Sequence, residues 1–257
     1  METASIDRIA FCEHLAHRTW PSRTQENIGA WILRENEGFT RRANSCLALG
    51  DPGMAQGCAI DRVEAWYRQR GLEPCIKVCS AAPDSLDGFL ESRGWILANP
   101  ALVLSKELPA AARMAPDFVI TDVPEARWLA HLAAWDGESA DKATLHADLA
   151  RRIPRAGFAS WRSGEEIHAV ATVALDPTSA HLYDLVVRED LRGRGIGGGF
   201  LESLLSWAKD QGADRAYLQV LESNERARRL YAKMGFAEHH RYHYRVGQTT
   251  ARVSCGC

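Results

Sequence analysis

The chain reads as two tandem copies of one α/β unit, and three observations predict it. Laid on itself at a constant offset of 141 residues with no gap, the sequence puts Trp66 on Trp207, Gly71 on Gly212, Phe89 on Leu230, Gly94 on Gly235 and Trp95 on Phe236. Both windows give the same order of helix, strand, helix and strand, so one duplicated unit is the economical reading. Between them ELPAAARMAPD, residues 107–117, carries two prolines and an alanine run with no periodic apolar pattern, as a linker does. The expected division is a first domain over 1–108, a linker over 109–116 and a second domain over 117–257.

In the first half the spacing predicts a helix over Ile60 to Arg70, a strand over Cys75 to Cys79, a helix over Leu86 to Arg93 and a strand over Ala101 to Lys106. In the second half a strand over Ala180 to Val187 comes first. Phe200, Leu201, Leu204, Leu205 and Ala208 then recur at helical spacing, and the helix stops at Gly212. A strand over Ala216 to Val220 follows. Ala227, Leu230, Tyr231 and Met234 stand at i, i+3, i+4 and i+7 and close at Gly235, after which Phe236 to Val246 reads as a final strand or hairpin.

With 46% hydrophobic and 25% charged residues in 257, the chain has the composition of an ordinary globular protein. A formal net charge of -2 supplies no positive excess for a phosphate backbone, which argues against nucleic acid as a partner. The longest apolar run, AVATVAL from Ala169 to Leu175, is too short to cross a bilayer, so no membrane role and a cytoplasmic setting are expected. The seven cysteines, at 12, 46, 58, 75, 79, 255 and 257, include no C-x-x-C pair. Buried reduced thiols at Cys75 and Cys79 are expected, no metal ligand is assigned, and Cys255-Gly256-Cys257 reads as a chain end.

The chemistry concentrates in LRGRGIGGGF, residues 191–200, between the strand ending at Val187 and the helix that holds Phe200. Consecutive backbone N–H groups and the positive end of a helix dipole make an anion site there, and glycines let a phosphate approach the main chain. Gly193-x-Gly195-x-x-Gly198 fits the dinucleotide fingerprint, but five residues separate the strand from the first glycine, and Gln219 stands on the second strand where that fold holds ribose with an acid. No Lys-Ser/Thr pair follows the glycines, which excludes a Walker loop.

Read instead as Arg192-x-x-Gly195-x-Gly197, the loop resembles the R/Q-x-x-G-x-G/A pyrophosphate loop of the Gcn5-related N-acetyltransferases. The likeness extends to the hydrophobic triplet Leu185-Val186-Val187 before the loop, to Asn224, and to Leu230-Tyr231-Ala232-Lys233-Met234-Gly235-Phe236, matching L-Y-x-K-x-G-F. It covers roughly residues 117 to 246. The resemblance implies tandem acyl-CoA N-acyltransferase-like domains of α/β (α+β) class, with mixed, mainly antiparallel sheets flanked by helices. It also implies an N-acetyltransferase that takes acetyl-CoA as co-substrate and a primary amine, small or amino-acid-like, as acceptor. On this reading the backbone of Leu185, Val186 and Val187 pairs with the pantetheine amides. Arg192, Gly193, Arg194, Gly195, Ile196, Gly197 and Gly198 cradle the pyrophosphate, and Asn224 orients the cofactor arm or simply caps its helix.

Tyr231 matches the family tyrosine that protonates the departing thiolate, so it serves both cofactor binding and catalysis. Some family members that acetylate protein N-termini carry a glutamate twelve residues before that tyrosine, where this chain has Gln219. The general base is then Asp184, on a strand face shared with Leu182 and Val186, or one of His181, His239, His240 and His243, or water. Subtracting 141 puts Arg192, Gly195, Gly197, Asn224 and Tyr231 on Asp51, Met54, Gln56, Pro83 and Leu90, so the first half is expected to be a copy without a CoA site. Arg34, Arg41, Arg42, Arg241 and Arg245 are candidates for an acceptor carboxylate. Other readings are a non-catalytic acyl-CoA sensor, a nicotinamide-dependent oxidoreductase and a protein N-terminal acetyltransferase. Acceptor identity and a homodimer both stay open.

Overall fold

The computed structural model describes residues 4–110 and 114–248. In chain order they form α1 (Ile6–Thr19), β1 (Thr24–Ile28), β2 (Trp31–Glu35), β3 (Cys46–Leu47), α2 (Gln56–Arg68), β4 (Cys75–Cys79), α3 (Leu86–Ser92) and β5 (Ile96–Glu107). There follow β6 (Phe118–Thr121), α4 (Ala126–Asp136), α5 (Ala140–Arg152), β7 (Ala156–Ser163), β8 (Glu166–Asp176) and β9 (Ser179–Val187). A single 3-10 turn, Glu189–Leu191, leads to α6 (Ile196–Asp210), β10 (Arg215–Leu221), α7 (Glu225–Lys233) and β11 (Ala237–Val246). Shifted by 141 residues, the bounds of α2, β4, α3 and β5 all fall within two residues of those of α6, β10, α7 and β11. The fold is the tandem α/β arrangement that the internal repeat predicts.

Packing divides the chain into two compact units. Unit 1 takes Met1–His17, Ser22–Leu102 and His239–Cys257, and unit 2 takes Arg18–Pro21 and Val103–Glu238. These differ from the expected 1–108 and 117–257 at both strands that close the repeats. β5 starts at Ile96 rather than Ala101, running through Pro100, and from Val103 its residues belong to unit 2. β11 belongs to unit 1 from His239. A strand can carry proline where no neighbour needs that N–H, so Pro100 was no barrier. Cys255 and Cys257 lie outside the described residues, as do residues 111–113 of the linker.

In unit 1 the strand order is β1-β2-β3-β4-β11. β3 and β4 run parallel and the other pairs antiparallel. α2 buries Ala59, Ile60, Val63, Trp66 and Tyr67, a stripe at spacings of three and four that packs with Trp31, Leu33, Ile76, Leu86 and Leu90. All five residues of β4 are buried, and the one charge among them, Lys77, is paired with Glu13 of α1 at 2.5 Å. Cys12, Cys46, Cys75 and Cys79 are free and buried. The thiols expected at Cys75 and Cys79 are therefore present.

In unit 2 the order is β5-β10-β9-β8-β7-β6, with β9 and β10 parallel and β6 through β9 antiparallel. α6 buries Phe200, Leu201, Leu204, Leu205 and Ala208. Two departures from regular pairing shape the functional end of this sheet. β9 and β10 pair only from Ser179 with Arg215 to Leu182 with Leu218, while β9 stays paired with β8 as far as Val187. At that divergence Asp184 has a φ of 54°, and the β8–β9 register shifts between Val170 and Thr172. This is a β-bulge, which adds a residue to one strand and bends it. The plain alternation expected of residues 180–187 therefore breaks at Asp184.

Candidate active site

Beyond the bulge, Val186 and Val187 keep β8 on one side, and Leu185 to Val187 have no strand neighbour on the other among the described residues. They wall a cavity of about 540 Å³ whose lining also includes Leu191, Arg192, Gly193, Gly195, Gly197, Gly198, Asn224, Arg226, Leu230, Tyr231 and Lys233. Of the cofactor residues named from the sequence, only Arg194 and Ile196 are absent from this wall.

The loop presents its main chain. Gly195 is the N-cap of α6 at a φ of 85°, a left-handed conformation that a side chain would strain, and no side chain caps the helix. A Cβ built on Gly193, Gly195 or Gly198 would meet nothing within 4 Å, so the approach to the loop is open, although the Gly198 N–H itself donates to the Gly195 carbonyl at 3.0 Å. Arg192 donates from Nε to the Val187 carbonyl at 2.9 Å, tying the loop to the end of β9. Arg192, Arg226 and Lys233 give the wall three cations beside the N-terminus of a 15-residue helix, which is how a protein prepares for a phosphate-bearing ligand.

Asn224 is the N-cap of α7, its Oδ1 accepting from the Ala227 N–H at 3.1 Å, so this residue both caps a helix and lines the cavity. One helical span later, Tyr231 is buried against Phe236, with ring centroids 5.9 Å apart. Burial alone pushes the Tyr231 hydroxyl up to about 12, and it makes no hydrogen bond to a described residue. It stays protonated at neutral pH and faces the cavity as a donor.

Asp184 is placed differently from a base facing the cavity. It is not on the wall. Its Oδ2 accepts from Thr172 Oγ1 at 3.0 Å and stands 3.2 Å from His146 Nε2, and the Nδ1 of the same imidazole lies 2.8 Å from Glu138 Oε1. Only about 7% of either carboxylate side chain is exposed. A histidine with a carboxylate at each ring nitrogen is held as imidazolium: burial opposes the charge, but Asp184 and Glu138 outweigh it and lift the group to about 9. The bulge that frees Leu185 to Val187 is thus braced by a buried acid–base chain. Neither Glu138 nor His146 stood out in the sequence, because a lone histidine on a helix gives no sign of its partners.

The other histidines named as bases are committed elsewhere, and none lines the cavity. His240 bonds Glu13, His243 bonds Asp87, and His181 is buried between Tyr183 and Tyr217. The arginines expected to take an acceptor carboxylate are also engaged. Arg245 is 4% exposed and donates from Nε to Asp87 at 2.7 Å, Arg34 donates to Ser45 Oγ and carbonyl, and Arg41 donates to Asn99. Conversely, Trp135 and Asp136 at the end of α4 do line the cavity and were missed, since Trp-Asp-Gly there reads only as a helix stop.

No helix among the described residues is long and apolar enough to cross a membrane. Residues 3–245 match the family model described as probable histone acetyltransferase Rv0428c C-terminal. The chain is 30% identical over 247 residues to a protein of Bacillus subtilis called uncharacterized N-acetyltransferase YobR, covering 94% of this chain and 99% of that one. Among solved structures it resembles a GCN5-related N-acetyltransferase from Kribbella flavida, with a TM-score of 0.67 at 15% identity over 95% and 96% of the two chains. It also resembles a tandem GNAT protein from the clavulanic acid biosynthesis pathway, with a TM-score of 0.60 at 12% identity over 94% and 88%. The chain belongs to the Rv0428c C-terminal family and is an N-acetyltransferase of the Gcn5-related (GNAT) superfamily.

Proposed function

We propose that unit 2 binds acetyl-CoA in the glycine-loop cavity and transfers its acetyl group to a primary amine. The observation that carries this reading is the run Leu185 to Val187, a strand edge left unpaired beside an uncapped helix N-terminus. A ligand with amides spaced along an arm and a pyrophosphate at its end satisfies both, the arm as an added strand and the phosphates on the helix amides. The backbone N–H groups of the same run can also polarise the thioester carbonyl.

The amine nitrogen attacks the thioester carbon, the carbon–sulfur bond breaks, and the electron pair leaves on the CoA sulfur. Tyr231 donates to that thiolate, whose thiol has a pKa of about 8.5. An ammonium acceptor first gives one proton to water, and the second proton, lost from the nitrogen as the amide forms and passed through water, restores the tyrosine. Asp184 acts as a positioning residue, holding the bulge through His146 and Thr172 while the attack proceeds on the other side of the strand.

An amine arrives largely as a cation, and the cavity carries one carboxylate suited to it. Asp136 is exposed on the wall and attracts an ammonium by its charge. This favours a small cationic amine or an amino-acid-like acceptor bound through its amine rather than its carboxylate. The bifunctional wall, with cations for phosphates and a free tyrosine hydroxyl, also favours turnover over a non-catalytic acyl-CoA sensor.

Calorimetry with CoA, followed by a thiol-release assay over a panel of amines, tests this reading. We expect saturable CoA binding that Gly195→Glu removes, and turnover that Asp136→Asn slows by raising KM for the amine. Binding that survives Gly195→Glu sinks the cofactor site, and binding without turnover on any amine leaves the sensor.

A further inference from the structure

Unit 1 holds a second cluster of reactive side chains that the transfer reaction does not use. Cys12 of α1 and His239 and His240 of β11 bring one potential ligand atom each within 4.8 Å of one another, and Cys12 and His240 are buried. None of the three lines the cavity of unit 2. We propose that Cys12, His239 and His240 form a binding site for a soft divalent cation of the zinc class, linking the first helix to the last strand within unit 1.

The donor set supports this first. One thiolate and two imidazoles are ligands that zinc and cobalt(II) prefer, and hard cations such as magnesium do not. Zinc, with bonds of about 2.0–2.1 Å to nitrogen and about 2.3 Å to sulfur, sets tetrahedral ligand atoms about 3.3–3.6 Å apart. The three ligand atoms stand within 4.8 Å of one another, with the two Nδ1 atoms at 2.7 Å, so binding requires the imidazoles to part slightly and the thiol to close on them.

The surroundings of His240 support it independently. Its Nε2 lies 2.8 Å from Glu13 Oε1, and the other oxygen of Glu13 is paired with buried Lys77 at 2.5 Å. A carboxylate engaged in an ion pair only accepts, so Nε2 carries the hydrogen and Nδ1 presents its lone pair. That Nδ1 points at His239 Nδ1, 2.7 Å away. A carboxylate behind a histidine, fixing the tautomer and turning one lone pair forward, is the support that metal-binding imidazoles commonly have. Lys77 in turn lies over the Tyr242 ring at 3.7 Å, so the group behind the ligands is itself locked by β4 and β11. Binding releases the Cys12 thiol proton and the proton shared by the two facing nitrogens, and water completes the fourth position.

The full chain, stripped with a chelator and titrated with cobalt(II), provides the test. We expect one cobalt per chain, with the visible bands of a tetrahedral ion and a near-ultraviolet thiolate-to-cobalt band. Cys12→Ser, close in size, should lose the thiolate band, and His239→Ala, at a partly exposed position, should weaken binding at least tenfold while keeping CoA affinity. Cys255→Ser/Cys257→Ser should keep every band. Zinc should raise the Tm of the parent protein and leave that of Cys12→Ser unchanged. Bands that persist in Cys12→Ser, that vanish with Cys255 and Cys257, or that never form would each overturn the site and leave the histidines as a hydrogen-bonded pair.

Discussion

The loop ahead of α2 and the loop ahead of α6 stand at the same place in the repeat, and they are closed by different means. Before α6, glycines leave open space over the helix N-terminus, and cations gather round it. Before α2, Asp51 turns its own carboxylate onto the Gly53 N–H at 2.8 Å, so an internal anion takes an amide that would otherwise face a ligand. The hairpin turn between β1 and β2 then shuts the place. Gly29 lies so close that a Cβ there would be 2.3 Å from the Pro52 carbonyl carbon, and the Ala30 N–H donates to the Asp51 carbonyl. Tyr231 and Asn224 have Leu90 and Pro83 as counterparts, one a fully buried core residue and the other unable to cap. The comparison teaches that the loop can change without the scaffold, because the paired elements keep their bounds within two residues while the loop residues between them differ.

That contrast can be broken by substitution on either side. The largest effect is expected from Gly195→Glu, which combines backbone strain with a negative charge in an anion site. CoA affinity should fall by about 4 kcal/mol, near 10³-fold, whereas Asp51→Ala in the counterpart loop should leave it unchanged in the same calorimetry. His146→Ala should follow. It strands Glu138 and Asp184 with their shared cation gone, and denaturant unfolding at pH 7 should show a loss of about 3 kcal/mol.

The sign of the pH effect is fixed by the raised value of His146. Its contribution is complete below its ordinary value of 6.5 and disappears as pH rises through about 9, so the gap between parent and His146→Ala should close at pH 10. A gap that is constant in pH would mean that the imidazole acts by packing alone. Tyr231→Phe should lower kcat by about 10²-fold with KM for acetyl-CoA nearly unchanged, a split that a purely structural tyrosine would not give. Asn224→Ala is the mildest: loss of a cap costs about 1 kcal/mol of stability, and a matching drop in CoA affinity would add a direct ligand contact.

Much of this was legible in the residues. The 141-residue offset located four paired elements, since glycine stops and aromatic core positions survive duplication, and the glycine loop, Asn224 and Tyr231 emerge on one cavity wall. Asp184 shows what local pattern cannot carry. Alternation assumes regular pairing, and a bulge defined by the partner strand β8 removes that assumption. The chain Glu138–His146–Asp184 joins residues up to 46 positions apart, so no local spacing reports it. AVATVAL, conspicuous only as an apolar run, is the interior of β8, buried on both faces and hence without alternation. The linker and the packing divide the chain at different places for a related reason: a proline-rich stretch marks where the chain changes direction, which need not be where packing changes hands.

The strands β5 and β11 give that last point an evolutionary edge. Val103 to Glu107 come from the first copy in sequence but pack with the second, and His239 to Val246 come from the second but pack with the first. Severing the gene in its linker would leave each fragment missing an edge that the other one encodes. On the proposed reading, a first copy without a ligand site can still be retained by selection, because Val103 to Glu107, encoded before the linker, give unit 2 part of its sheet.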